Sequence, residues 1–373
     1  MNTKELAHWR MRTHRLWTPP FARPAEVVRW FGAMQAQEFV PAKWAIAQRC
    51  GRADDEQIER LYATGEILRT HLVRPTWHFV HRDDIRWVLE ATKYRVHQIN
   101  STYYRQCGVD AGTFKRCAKV FTRALKGGNE LNRRELVEVL KKGAGIDAAG
   151  LRMGLILMRA ELDGVIVSGS VGGKQPTFAC FEERVPEKAP ISHDEAVAEL
   201  TRRYFRSRGP ATLKDFVRWS SLTVAEAKAG LSSVRSELRQ RDIDGRTYFF
   251  ERRPSGQPPS SPRIDLIQGY DEYVMSYSDS KDVLRSTDGG VTSRAINPNI
   301  YLHAVLLDGQ LVGHWRQVRH ANDVTVETVL YRKMEKPETS AMDVAVKRFG
   351  DCFGIDGRWT IPPQLTQRTR AIV

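Results

Sequence analysis

Groups of three predicted helices followed by a short β-hairpin recur along the first two-thirds of the sequence, and no other feature constrains the fold as strongly. Apolar residues at helical spacing mark the helices, and short alternating runs mark the strands. The first group has predicted helices over 24–34, 42–49 and 56–63, strands over 67–72 and 76–80, and a following helix over about 83–98. The second has helices over 113–125, 133–141 and 151–162 and a hairpin from 165–167 to 177–179 with its turn at 169–175. The third has helices over 194–208, 213–219 and 224–231 and weak strand signals at 241–243 and 247–250.

Several of these helices begin with a recognisable capping pattern. Asn132, Ser192 and Thr223 are each followed three residues later by a glutamate, and Thr212 is followed at the same distance by Asp215. A short polar side chain and a carboxylate at this spacing can satisfy the free N–H groups of a first helical turn. The pattern therefore predicts helix starts at these four positions.

Three helices with a hairpin form the arrangement of a winged helix, a helix-turn-helix variant whose third helix and wing can lie on DNA. Two alternatives share the pattern: winged helices also serve as protein-interaction modules, and a helix triplet with a hairpin can arise by chance in an α-rich chain. The charge favours DNA, because 58 Lys and Arg against 44 Asp and Glu give a net charge of +14.

The composition changes after the third group. Residues 254–262 (PSGQPPSSP) cannot hold a helix and are predicted to form a linker. Beyond it, alternating segments over 305–307, 310–316 and 323–331 predict antiparallel strands, with a helix over 339–349. The predicted fold class is therefore α+β. It comprises three tandem winged-helix modules over 1–110, 111–187 and 188–253, the linker, and a β-rich C-terminal domain over 263–373.

Several classes of function lose support. The five cysteines are odd in number and scattered, so reduced thiols are expected, and neither HExxH nor a CxxC pair indicates a metal site. The paired glycines are not followed by a phosphate-binding context, so no nucleotide cofactor is expected. No apolar stretch approaches the roughly 20 residues of a membrane span, and the start resembles no secretory signal, so a cytoplasmic, nucleoid-associated protein is expected.

Five segments resemble the AlkZ/YcaQ-like tandem winged-helix DNA glycosylases. These segments are MQAQE followed by PAKW over 34–44, RTHLVRPTWHFV over 69–80, GPATLKDFVRWS over 209–220, GYDEYVM over 269–275 and DGQLVGHW over 308–315. The resemblance covers nearly the whole chain. It implies three winged helices around a concave, positively charged channel and excision of alkylated bases without strand cleavage. In that family two polar residues separated by one small or apolar residue carry the chemistry, and Gln35-Ala36-Gln37 matches the double-glutamine version rather than the glutamine–aspartate one.

From the residues alone, two glutamines near a helix end would be interpreted as capping or solvent-facing side chains. The chemistry nevertheless suits them. Glycoside hydrolysis ordinarily uses a carboxylic acid and a carboxylate, and an amide can replace neither. A purine alkylated at N7 or N3 is already cationic, so its glycosidic bond breaks to a neutral base without an acid. Oriented amide carbonyls can then hold a water at C1′ and stabilise the charge growing on the sugar.

On an ideal helix Gln35 and Gln37 would lie about 200° apart, so both can face one channel only if the segment is irregular. We therefore predict a helix break after Met34. The adjacent Glu38 is a rival candidate for a catalytic base, and a helix-end or surface charge is the simpler interpretation of it.

The predicted DNA-contacting residues lie on the first two hairpins and beside the Gln35–Gln37 segment. They are Lys43, Arg69, Arg74, Trp77 and His78 from the first module, and Val171, Lys174 and Gln175 from the turn of the second hairpin. Lys43 and Lys174 would meet phosphate, Trp77 would stack near a lesion, and Gln175 or Val171 would touch base edges. His71 and His78 could instead be histidines packed under a wing, and the second hairpin could be an ordinary flexible turn.

The sequence thus predicts a monomeric, cofactor-independent DNA glycosylase that acts on N7-alkylguanine-type lesions in duplex DNA, including bulky or crosslinked adducts. The alternative is a noncatalytic winged-helix DNA-binding regulator. The two hypotheses differ in whether Gln37 is needed for base release.

Overall fold

A computed structural model describes residues 2–51, 54–172, 175–252, 259–284, 303–320 and 322–362, with the backbone alone for 171 and 172. Helices occupy most of the first two-thirds, and the largest sheet lies near the C-terminus. The predicted α+β class is confirmed. Lys174 and most of the predicted linker lie outside the described residues.

The first unit (residues 2–106) contains a three-stranded sheet surrounded by helices. Its elements are α1 (Thr3–Thr13), α2 (Pro24–Phe31), β1 (Met34–Gln35), α3 (Phe39–Ala47), α4 (Asp55–Ala63), β2 (Ile67–His71), β3 (Trp77–His81) and α5 (Ile85–Gln106). The hairpin β2–β3 accepts β1 as a third strand in the order β1-β3-β2, with Gln35 opposite His78. Neither α1 nor β1 was predicted, and the segment that carries the paired glutamines is thus part of the sheet.

The second and third units follow the predicted order of three helices and a hairpin. The second (111–184) consists of α6 (Ala111–Leu125), β4 (Leu131–Asn132), α7 (Arg133–Ala144), α8 (Gly150–Leu162), β5 (Ile166–Gly172), β6 (Gln175–Cys180) and α9 (Phe181–Arg184). The third (193–250) consists of α10 (His193–Arg208), α11 (Leu213–Ser220), α12 (Val224–Ser233), β7 (Arg239–Ile243) and β8 (Arg246–Phe250). Capping boxes begin α7, α10, α11 and α12, which confirms the four predicted helix starts.

The C-terminal region (259–362) is built on a five-stranded sheet. Its elements are β9 (Ile264–Ile267), α13 (Glu272–Met275), β10 (His303–Leu307), β11 (Gln310–Arg319), β12 (Asp323–Leu330), α14 (Lys336–Cys352) and β13 (Asp356–Thr360). The strand order is β13-β12-β11-β10-β9, antiparallel throughout except for the parallel β12–β13 pair that α14 connects. The three predicted strands and the helix are present, whereas β9, α13 and β13 were not predicted.

The hydrophobic core of the first unit continues into the C-terminal sheet. Trp44 of α3 lies 5.2 Å, ring centre to ring centre, from Phe349 of α14, and Phe349 lies 5.2 Å from Trp315 of β11. The Trp44 indole N–H donates to the carbonyl of Leu266 at 2.7 Å. A second large cluster joins the β2–β3 hairpin and α5 to the second and third units. The first unit is therefore packed between the rest of the repeats and the C-terminal sheet.

Two fully buried ion pairs connect the segment 269–275 to the repeats. Arg49 lies two residues beyond the end of α3 and makes a bidentate contact with Asp271, in which each carboxylate oxygen accepts a hydrogen bond at 2.8 Å. Neither side chain is exposed. Arg208, the last residue of α10, pairs with Glu272 at 2.8 Å, and both of these side chains are also fully buried. Charges at such depth are tolerated only when they are paired and hydrogen-bonded.

The Asp271→Ala substitution is expected to lower the free energy of unfolding by about 3–5 kcal/mol, because it leaves the Arg49 guanidinium buried without its counter-charge. Chemical unfolding followed by circular dichroism measures this. Asp351→Ala is the matched control, since the Lys347–Asp351 pair on α14 is largely exposed and should contribute less than about 1 kcal/mol. Equal losses in the two variants would contradict the importance of the buried pair.

Candidate active site

The Gln35–Gln37 segment is not helical: Gln35 ends strand β1, and Gln37 lies in a bend. Helix α2 ends at Phe31 because Gly32 adopts φ +72°, a left-handed conformation that glycine adopts without strain. The helix therefore ends three residues before the predicted break after Met34. Met34 and Gln35 then pair with β3, and the N–H of Ala36 continues the ladder by donating to the carbonyl of Trp77 at 2.8 Å.

Gln35 ends the short edge strand β1, and the chain bends at Gln37 and Glu38 before α3 begins. The irregularity that two catalytic glutamines would require is thus present, as a strand followed by a bend. The two side chains differ in exposure: Gln35 is only 4% exposed, whereas Gln37 is partly exposed. Gln37 is therefore the more accessible of the two side chains.

Gln35 is held at both its backbone and its side chain. Its N–H donates to Oε1 of Glu272 at 2.8 Å, and its side-chain Oε1 accepts a hydrogen bond from Nη2 of Arg74 at 2.5 Å. Because a guanidinium can only donate, the contact determines which end of the Gln35 amide faces Arg74. Gln37 is held more loosely, with Oε1 3.4 Å from the N–H of Trp77.

Arg69 supports the backbone of the same segment. Its Nε donates to the carbonyl of Ala36 at 2.8 Å and its Nη2 to the carbonyl of Gln37 at 3.1 Å. Its guanidinium also lies 4.4 Å from the ring centre of Trp77, at stacking distance. The predicted DNA-contacting residues Arg69, Arg74 and Trp77 therefore converge on the paired glutamines, and both arginines already donate to this segment.

Behind Gln35 lies the Arg208–Glu272 pair. Glu272 Oε2 accepts hydrogen bonds from Arg208, Ser276 and the Trp219 indole at 2.8–3.0 Å. Arg208 in turn donates to the carbonyls of Phe31 and Ala33 at 2.9 and 2.7 Å. Burial by itself raises the pKa of Glu272, but the positive charges of Arg208 and Arg74 and the Gln35 N–H outweigh it and hold the pKa at about 2.

Two histidines lie beneath the site. His78 sits opposite Gln35, is completely buried, and its Nδ1 lies 2.9 Å from the carbonyl of Thr76, so Nδ1 carries the proton. Burial and the Arg74 charge lower the pKa of His78 to about 3. This burial agrees with the alternative of a histidine packed under the hairpin, and the DNA contact of His78 stays a prediction. His71 is hydrogen-bonded to the buried Glu161 and packs 4.8 Å from the Trp77 ring, which agrees with the alternative of a histidine packed under the hairpin.

The phosphate contact of Lys43 stays a prediction, and in this structure its ammonium is paired within the protein. Its side chain is 2% exposed and its Nζ is paired with Asp55 at 2.5 Å and Glu59 at 2.6 Å on α4. The position of Lys43 on α3 thus directs its side chain toward the neighbouring helix α4. The rival base Glu38 occupies the N-cap position of α3 without a side-chain capping bond, and burial raises its pKa.

The second hairpin is longer than predicted, and strands β5 and β6 extend to Gly172 and from Gln175. Gln175 is exposed at the tip, while Lys174 and the side chain of Val171 lie outside the described residues. Glu130 stabilises the hairpin by accepting from the N–H of Ser170 and the hydroxyl of Thr177, each at 2.7 Å. Gln175 thus remains a predicted DNA contact.

Neither a metal-ligand cluster nor a membrane-spanning helix occurs in the part of the chain that the structure describes. The histidine, cysteine and acidic side chains there form no group of three that could hold an ion. None of the helices there is both long and apolar enough to cross a bilayer.

Comparison with known proteins agrees with this geometry. The family model described as DNA glycosylase AlkZ-like matches residues 28–352, which is most of the chain. The chain belongs to the AlkZ-like DNA glycosylase family. The resemblance inferred from the five segments is confirmed, and the protein is an enzyme that acts on N-glycosyl bonds. Family membership gives the noncatalytic regulator no support.

The sequence and structure comparisons both match a DNA glycosylase of Streptomyces sahachiroi. An interstrand DNA cross-link repair glycosylase of Streptomyces sahachiroi is 25% identical over 340 residues, which cover 84% of this chain and 88% of the relative. The solved structure of Streptomyces sahachiroi DNA glycosylase AlkZ has a TM-score of 0.79 and 21% identity, and the match covers 97% of this chain and 100% of that one. This second similarity establishes that the AlkZ fold is shared.

Sequence reasoning did not assign roles to Arg208 and Glu272, the two residues that hold the site from behind. Glu272 belongs to the segment 269–275, which was noted only as a block of family resemblance. The available signal was the pair Asp271-Glu272 within a short aromatic and apolar segment, because adjacent carboxylates in such a segment require buried cations. Which arginines meet them depends on the tertiary fold.

The Glu272→Gln substitution keeps an acceptor for the Gln35 N–H and removes the charge that neutralises Arg208. Because the pKa of Glu272 in the folded protein is about 2, below its ordinary value, the ionised carboxylate stabilises the fold above about pH 4.5. That contribution declines as the pH falls from there toward 2. We expect the urea midpoint of the variant to lie below that of the wild type at neutral pH, with the gap narrowing below about pH 4. A gap independent of pH would show that the charge of Glu272 does not stabilise the fold.

Proposed function

We propose that this glycosylase hydrolyses the N-glycosidic bond of cationic N-alkylated purines of the N7-alkylguanine type in duplex DNA, and that its substrates include bulky or crosslinked adducts. The observation that carries the proposal is the pair of amides, Gln35 and Gln37, in a non-helical segment that Glu272, Arg69 and Arg74 hold by hydrogen bonds. The site offers oriented amides where other glycosidases place carboxylates. Such a site suits a leaving base that needs no proton.

The reaction balances without an acid. The bond between C1′ and the base nitrogen breaks, and both electrons leave with the cationic base, which becomes neutral. A water oxygen bonds to C1′ and its surplus proton passes to solvent. The protein's contribution is to hold the water and to stabilise the positive charge on the sugar by amide dipoles.

The buried Glu272 does not substitute for the missing carboxylate in this scheme. Its oxygens are taken up by Arg208, Ser276, Trp219 and the Gln35 backbone. Among the described residues near the paired amides, Glu38 is the carboxylate that must be tested as a base, since burial raises its pKa.

The proposed substrates include crosslinked adducts because the chain is similar to a glycosylase that repairs crosslinks. The curated relative is named an interstrand DNA cross-link repair glycosylase, and a nitrogen-mustard crosslink joins two guanines through N7 and leaves both cationic. Each half of such an adduct presents the same kind of bond as 7-methylguanine. We further propose that the enzyme acts as a monomer without strand cleavage.

The Gln37→Ala substitution is expected to lower the single-turnover rate of 7-methylguanine release at least about 100-fold, as the loss of an oriented transition-state contact does elsewhere. The measurement uses a site-specifically modified duplex with EDTA present, and binding of the same duplex should be unchanged. Glu38→Gln is the matched control at the next position and should retain the wild-type rate. Loss of activity in Glu38→Gln alone would identify Glu38 as the base and contradict the amide mechanism.

A second substrate distinguishes an enzyme that acts only on bulky lesions from one for which the proposed lesion class is wrong. If the wild type releases no 7-methylguanine, a duplex carrying a nitrogen-mustard adduct is tested under the same conditions. Release from this duplex alone would restrict the enzyme to bulky lesions. No release from either duplex would contradict the proposed lesion class.

A further inference from the structure

The two amides of the site have different partners, and this difference indicates different roles. Gln35 Oε1 accepts a hydrogen bond of 2.5 Å from the Arg74 guanidinium, whereas Gln37 Oε1 has only the long 3.4 Å contact with the Trp77 N–H. The first is a charge-assisted bond and the second is close to the limit of a hydrogen bond. Gln35 is therefore fixed in orientation, and the Gln37 carbonyl retains its capacity to accept.

Arg74 lies in the turn between β2 and β3, three residues beyond the end of β2, and its side chain is partly buried. Its positive charge and that of Arg208 lower the pKa of the buried Glu272, which also accepts the backbone N–H of Gln35. The Arg74 guanidinium contacts the Gln35 side chain, and Glu272 contacts the Gln35 backbone. Gln35 is thus held at both its side chain and its backbone.

We propose that Arg74 is a positioning residue that orients the Gln35 amide for the chemical step. The proposal rests on the proposed function. The Arg74 guanidinium donates to Gln35 Oε1, so the Gln35 amide is fixed in one orientation, with its NH₂ group directed away from the guanidinium.

This role differs from the direct DNA contact predicted for Arg74, of which a phosphate contact is the form an arginine most often makes. A phosphate contact affects binding and its salt dependence, with log K falling by about 0.9 per contact for each log unit of salt. A positioning contact affects the chemical step and leaves that slope unchanged. It also acts through Gln35, so its loss should add nothing once the Gln35 side chain is gone.

The test is a double-mutant cycle in the full-length protein with Gln35→Ala, Arg74→Met and the double variant. Single-turnover release of 7-methylguanine at saturating enzyme gives the chemical rate, and duplex binding at several salt concentrations gives the slope. We expect each single variant to lose at least tenfold in rate, and the double variant to be no slower than the slower single variant. The binding slope of Arg74→Met should match that of the wild type.

Arg74→Lys keeps a positive donor and guards against a folding defect in Arg74→Met. We expect it to recover part of the rate, because its ammonium can still donate to Gln35 Oε1 but lacks the planar fork. Rate losses that multiply in the double variant, or a reduced salt slope with a normal chemical rate, would overturn the positioning role. A wild type that releases no base from either duplex would instead contradict the proposed function itself.

Discussion

The buried pair between Arg208 and Glu272 is the interaction on which the arrangement of the site depends. Arg208 ends a helix of the third unit and Glu272 belongs to the C-terminal region, yet both bind backbone groups of the first unit between Phe31 and Gln35. A buried pair of this kind contributes little net stability compared with apolar packing. Its value lies in geometry, because each partner has hydrogen bonds that only one arrangement of the three segments can satisfy.

The need to hold the glutamine segment in position also explains why the C-terminal sheet and the first unit share one core. The segment that carries the glutamines begins with the edge strand β1, and edge strands are easily displaced unless they are covered. Here α3 and the sheet of the C-terminal region pack together through Trp44, Phe349 and Trp315. The C-terminal region therefore acts as a scaffold on which the segment ahead of α3 keeps its position. A winged-helix module without this support would leave the glutamines on an unsupported edge.

Local signals in the sequence predicted much of the fold and some of the site. The capping boxes of α7, α10, α11 and α12 were recognisable because a helix start depends on four consecutive residues. Burial is a property of the whole fold and could not be predicted from local signals: Lys43 was expected to meet phosphate, and in the structure its Nζ is paired with Asp55 and Glu59. Strand β1 was not predicted because its two residues form a strand only by pairing with β3, about forty residues further along the chain. Gln35 and Gln37 were identified as candidate catalytic residues only through the family resemblance, since nothing in their local sequence pattern distinguishes them from capping residues.

The charges around the paired amides also bear on the kind of substrate such a site can accept. A cation beside a developing oxocarbenium ion is unfavourable, and Arg74 contacts one of the two amides. Glu272 offsets that charge, and its low pKa keeps it ionised at neutral pH. The side chains of Gln35 and Gln37 are themselves neutral dipoles. Neutral dipoles stabilise charge less than a carboxylate does, so they suffice only where the leaving group is already activated, as a cationic alkylated purine is. An amide pair would thereby spare ordinary bases, whose departure needs a proton that neither glutamine can supply.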